Sequence, residues 1–145
     1  NEKIMKKLKI NHGAVWVSVV LLTVLGFLWY GPIFGDPWMK MVGLDMASLE
    51  ANPPGAGIWI TNLVATVVPV YTLAWLFTKI NVESPAGGAS LGLLIGFAFI
   101  LLSDMTGNMF AQRPYGLAWI TGGFSVVSLA LAGLILGAWR KYSTE

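Results

Sequence analysis

The chain contains no cysteine and a single histidine, His12, among its 145 residues. The first absence excludes disulfides and thiolate chemistry and leaves the redox compartment unread. The second leaves too few ligands for a zinc site made by the protein alone. Charge is also scarce. Asp, Glu, Lys and Arg make up 11% of the residues, against 56% hydrophobic, and the mean hydropathy is +0.70. Soluble domains carry about 25% charged residues, so this composition is that of a membrane protein. The net charge of +2 gives no support to a nucleic-acid partner. The fingerprints of nucleotide binding, of a zinc-protease helix and of a nucleophile elbow are all missing. Enzymatic readings therefore have little to stand on, and no cofactor or metal is indicated. His12, alone at a membrane edge, reads as an amphipathic anchor; the alternative is a porphyrin-metal ligand or a proton shuttle.

What is present is four long apolar runs. They predict an all-α membrane protein: four transmembrane helices in one compact bundle, with spans near 12–30, 57–77, 87–110 and 116–139. About 20 apolar residues cross the hydrocarbon as a helix, and the runs lack the two-residue alternation of barrel strands. The first span comes after a basic stretch, as in a secretion signal. No small-residue cleavage region comes after it. Instead Trp29 and Tyr30 mark an interface and Gly31-Pro32 closes a retained helix. Residues 1–11 hold Lys3, Lys6, Lys7 and Lys9, with Ile4, Met5, Leu8 and Ile10 among them. That suits a topology signal, or a short surface helix against anionic lipid.

Residues 31–56 read as an outward-facing interfacial loop. Trp38, Met39, Met41, Val42 and Leu44 can lie on the membrane, and Asp45 or Ser48 can cap a short turn. Asn52-Pro53-Pro54-Gly55 stops any helix before the next span. The loop is either an aromatic-anchored connection or a lid. Pro69 frees the carbonyl of Ala65 in the second span and predicts a kink. With four spans both termini share a side. That side holds Lys3, Lys6, Lys7, Lys9, Lys79, Arg140 and Lys141, against Lys40 and Arg113 on the other. The bias predicts cytoplasmic termini.

Two sets of residues stand out. Asp104 is the one acid placed well inside an apolar run, where a carboxylate wants donors, a cation or water. Asn108 lies one turn on, and Thr121 and Ser125 form a second same-face pair. In this topology Asn62 and Tyr30 approach the same layer, so Asp104, Asn108, Asn62, Tyr30, Thr121 and Ser125 are the candidates for a polar or substrate site. The second set, Gly88, Gly92 and Gly96 with Gly133 and Gly137, makes small-residue faces that let backbones approach, within the chain or between copies.

The run FLWYGPIFGDPWMKMVGL at 27–44 resembles the signature of a bacterial membrane family catalogued as domain of unknown function 1761. The resemblance rests on Trp29-Tyr30-Gly31-Pro32 and on Phe34-Gly35-Asp36-Pro37-Trp38-Met39. Asn108-Met109-Phe110 and the closing GLILGAW at 133–139 are similar to the family too. Members often carry a Tyr-His pair in the fourth helix, where this chain has Phe124-Ser125. The resemblance implies a four-helix protein of the bacterial inner membrane and brings no established activity. Two functions then fit the residues. One is a structural or accessory element that packs as a homo-oligomer or with other membrane subunits, in contact with membrane lipids. The alternative is a small-solute or proton-coupled transporter with a polar site in the outer half of the bundle.

Overall fold

The computed structural model describes residues 6–144. Four helices are long and apolar enough to cross a membrane: His12–Ile33, Ala56–Lys79, Pro85–Phe110 and Gly116–Ala138. The first is α1 (His12–Leu28), which continues as a π-helical turn over Trp29–Ile33. Two short helices come next, α2 (Gly35–Val42) and α3 (Met46–Ala51). The second span is α4 (Ala56–Lys79). The third is built from α5 (Pro85–Ile95), a π-helical turn at Gly96–Leu101, and α6 (Leu102–Phe110). The fourth is α7 (Gly116–Ala138).

The local chemistry explains most of these limits. Asn11 caps α1, accepting the Ala14 N–H. Ser84 caps α5 with Pro85 as its first residue, where a missing N–H costs nothing. Asp45 caps α3, accepting the Ser48 N–H at 2.7 Å. Gly43 ends α2 in the left-handed region at φ 73°, which glycine adopts without strain. The first span does not stop at Gly31-Pro32. Phe34 N–H donates to the Trp29 carbonyl, five residues back, at 2.8 Å. This wider turn carries the helix past Pro32, which has no N–H to give. The α4 helix likewise runs unbroken through Pro69.

The chain ends depart from an all-α fold. Lys6–Lys9 forms a strand, β1, paired antiparallel with β2 (Lys141–Thr144), so that Leu8 faces Tyr142 and Lys9 faces Lys141. The surface helix suggested for the basic cap is therefore corrected over 6–9; Ile4 and Met5 lie outside the described residues. The physical reason is the alternation Lys7-Leu8-Lys9. A two-residue period puts Leu8 alone against the bundle, where it is buried, and the second chain end emerges beside it to satisfy the backbone. Asn11 Nδ2 donates to the Trp139 carbonyl at 3.2 Å and ties the ribbon at its base. Both termini thus meet at one end of the bundle, here the terminal end. The other is the loop end.

The core sits in the terminal half. It joins Val15 and Val19 of α1, Val70, Leu73 and Phe77 of α4, and Leu129, Ala132 and Leu136 of α7. The α7 helix is the central one, touching α1, α2, α4, α5 and α6. It meets α5 almost backbone to backbone. A Cβ at Gly88 would overlap the Gly133 carbonyl, one at Gly92 the Leu129 carbonyl, and one at Gly137 the Ser84 carbonyl. At Gly96 it would lie 2.7 Å from Val126 Cα. The five glycines are thus occupied inside the chain, between α5 and α7, and are not faces left open for a second copy.

Candidate functional site

The polar layer depends on the π turn at Gly96–Leu101. In a straight α-helix successive residues are about 100° apart, so Asp104 would point about 80° away from Gly96. A π turn absorbs one extra residue and rotates the later positions back by about one residue. Leu101, Asp104 and Asn108 then return to the face that Gly96 presents to α7. Leu101 is buried there against Gly122, where an added Cβ would sit 2.8 Å from Leu101 Cα. Asn108 is buried as well.

On that face the Thr121 hydroxyl hydrogen-bonds Asp104 Oδ2. Asn108 Nδ2 donates to Asp104 Oδ1 at 3.4 Å. Thr121 also lies 3.1 Å from the Leu117 carbonyl. A hydroxyl has one proton for these two acceptors. An open depression of about 390 Å³ lies beside the layer, lined by Phe99, Ile100, Ser103, Asp104, Gly107 and Asn108.

Tyr30 and Asn62 belong to a different place. They line a cleft of about 550 Å³ between α1 and α4 in the loop half, roofed by α2 and backed by α7. Five rings stand in its walls: Phe27, Tyr30, Trp38, Trp59 and Phe124. Phe27 stacks on Trp59 at 6.3 Å, and Tyr30 meets Trp38 at 5.3 Å and Phe124 at 5.5 Å, both edge to face. Thr23, Asn62 and Thr66 add polar groups, and no lining side chain is charged apart from what the phenol can become. Trp29 fixes the back wall by donating its indole N–H to the Ile120 carbonyl at 2.9 Å.

The cleft exists because α4 is held at one end only. From Gly55 to Ala65 every residue of this helix and its approach is exposed, while Val70, Leu73, Ala74 and Phe77 are buried. His12 Nδ1 hydrogen-bonds the Tyr71 hydroxyl at 2.9 Å, which helps pin α4 to α1 on the terminal side. His12 therefore serves as a joint between helices. Among the described residues no three His, Asp or Glu side chains gather as a metal site would need.

The six candidate positions thus divide. Asp104, Asn108 and Thr121 form one bonded layer, and Tyr30 and Asn62 line the cleft. Ser125 joins neither: its carbonyl faces Gly96. Tyr30 stays with the cleft, its ring against Trp38 and Phe124. Sequence reasoning missed Phe27 and Phe124 as lining groups and laid Trp38 on the membrane surface; all three line the cleft.

No curated protein matches this chain, and no solved structure does. The family described as "Protein of unknown function (DUF1761)" matches it over residues 13–137, a stretch that takes in all of both sites, and the chain belongs to that family.

Proposed function

We propose that this is a small-solute binding and transport protein of the bacterial inner membrane, with its substrate site in the cleft between α1 and α4. The observation that carries the reading is the cleft itself, about 550 Å³, ring-lined and furnished with a few polar groups. Binding sites for small molecules have this size and this make-up. The chemistry favours a compact, largely apolar solute with a ring or a chain that can lie between Phe27 and Trp59. Asn62, Thr66 and Tyr30 would orient its polar end. The Asp104 layer would supply the proton in a coupled cycle. The seven-to-two distribution of Lys and Arg supports cytoplasmic termini, which would set the cleft in the outer half.

A second reading has its own observation. The loop-end half of α4 leaves Ile60, Val64 and Val68 more than half exposed, and none of them lines the cleft. An accessory protein would use this face, rather than the glycines, to meet another subunit or copy. One experiment separates the two. Native mass spectrometry of protein released gently from its own membranes should find a bound small molecule, whose occupancy falls in Phe27→Ala/Trp59→Ala. A stable complex with other subunits, and no small molecule, would refute the solute reading in favour of the accessory one.

A further inference from the structure

The cleft lies between two spans, and that setting decides what it can select. Burying apolar surface drives binding from water, but lipid tails are as apolar as leucine. A neutral apolar solute thus gains little by leaving the bilayer for the cleft, and it crosses hydrocarbon without help. An ion does not, because charge in hydrocarbon is costly. What the cleft offers beyond lipid is its ring faces and its few polar groups.

Both suit a positive charge. Of the five lining rings, Trp38 and Trp59 are of the type that attracts a cation most strongly. Tyr30 stands at 73° to Trp38 and at 61° to Phe124, so these rings turn a corner instead of forming one stack. The face of an aromatic ring is negative, which draws a cation and repels an anion. The hydroxyls agree with the rings. Thr23 donates its proton to the Val19 carbonyl at 2.8 Å, and Thr66 donates its own to the Asn62 carbonyl at 2.9 Å. Each then has only lone pairs to offer a guest. No lining side chain is basic. The loop end also carries Asp36, Asp45 and Glu50 beside Lys40 and Arg113, so a cation meets no excess of like charge there.

Resting on the solute reading of the cleft, we infer that its substrate is a compact organic cation of the quaternary ammonium class. A quaternary nitrogen has no N–H to satisfy, so ring faces and lone pairs suffice for it. Its carbon substituents match the apolar walls. Cages of aromatic rings recognise such heads. A polar group on the rest of the molecule would meet the Asn62 amide. Charge inside an apolar outline is also what makes a carrier necessary, since the bilayer alone stops such an ion.

The test titrates the full chain in nanodiscs by calorimetry with two probes of one shape. The first is choline. The second is dimethylbutanol, the neutral alcohol in which carbon replaces the charged nitrogen. Choline should bind about tenfold tighter or more. Trp59→Leu, at a half-exposed position, keeps an apolar wall and removes a ring. It should weaken choline about fivefold and the alcohol little, with Trp59→Phe in between. Trp119→Leu, half-exposed and away from the cleft, should change neither. Equal binding of the two probes, each weakened by Trp59→Leu, would overturn the cation and leave the solute cleft standing. A choline preference undiminished by Trp59→Leu would overturn the ring site. Binding of neither probe would overturn the cation and count against the solute reading with it.

Discussion

Replacing Gly92 with alanine adds one carbon at the tightest meeting of α5 and α7. That carbon would overlap the Leu129 carbonyl oxygen and lie 2.6 Å from its carbon and 3.1 Å from Ala130 N. All three obstacles are backbone, so no side chain can swing away. The two helices must part, and with them the neighbouring contacts at Gly88 and Gly96. Overpacking of this kind costs about 1–3 kcal/mol, and a rigid obstacle puts it near the top of the range. Alanine returns about 1 kcal/mol as the better helix former. The net expectation is a loss of about 2 kcal/mol, or about 30-fold in the folding equilibrium. Gly107 supplies the control. It lies in the same span with nothing within 4 Å of an added Cβ, so Gly107→Ala should gain up to about 1 kcal/mol. Unfolding in mixed detergent micelles, tracked by helicity, measures both. The opposite signs are the diagnostic. A Gly92→Ala protein as stable as Gly107→Ala would refute the close α5/α7 contact, and a loss confined to oligomer formation would move that contact between copies.

Two further substitutions probe the polar groups. Thr121→Val keeps the shape and removes the hydroxyl from Asp104, leaving a half-buried carboxyl without its nearest partner. It should cost about 1 kcal/mol in the same unfolding assay, with Thr121→Ser restoring the loss; equal stability of Thr121→Val and Thr121→Ser would refute the bond. Tyr142 donates to Glu83, and that bond first, with burial and the Glu83 charge after it, raises its phenol above the ordinary 10.0. A raised pKa means that the stabilisation is complete below the unfolded value and is lost as pH rises through the folded one. The ultraviolet difference titration of wild type minus Tyr142→Phe should therefore show one phenol ionising above pH 10.0; a midpoint at or below that value would refute the pairing.

The spans were legible because apolar run length is a property of each segment alone. The bonded layer was legible only as one-turn pairs. Asp104 and Asn108 share a face by spacing, but the direction of that face depends on the π turn at Gly96–Leu101. Nothing in GFAFIL marks a place where the helix widens, because the widening answers the close approach of Gly96 to Val126 across the bundle. The terminal ribbon failed for a related reason. Lys7-Leu8-Lys9 alternates, but a strand needs a partner, and the partner lies more than a hundred residues away at Tyr142. Tyr30 and Asn62 were placed in the Asp104 layer by depth alone. Depth is shared by residues on all four spans, whereas contact depends on how far α4 leans from α1, which hydropathy does not encode.

That lean divides the bundle into a fixed part and a part with few ties. The α5/α7 pair is locked by carbonyls where any side chain would collide, and such contacts have no slack for sliding or parting. The α4 helix is different. Its terminal half is buried through Val70, Leu73 and Phe77, while residues 55–65 bury nothing. Pro69 lies at the boundary, where one backbone hydrogen bond is already absent. A solute entering the cleft must displace something, and the side that yields at least cost is the half-helix with no packing to lose. Under the proposed transport reading the moving wall is therefore α4 before Pro69, and the glycine seam is the frame it moves against. The Asp104 carboxyl stays on the frame, hydrogen-bonded to Asn108 of α6 and Thr121 of α7. Coupling would then have to come from the moving half-helix, because the carboxyl itself is held by helices that do not move.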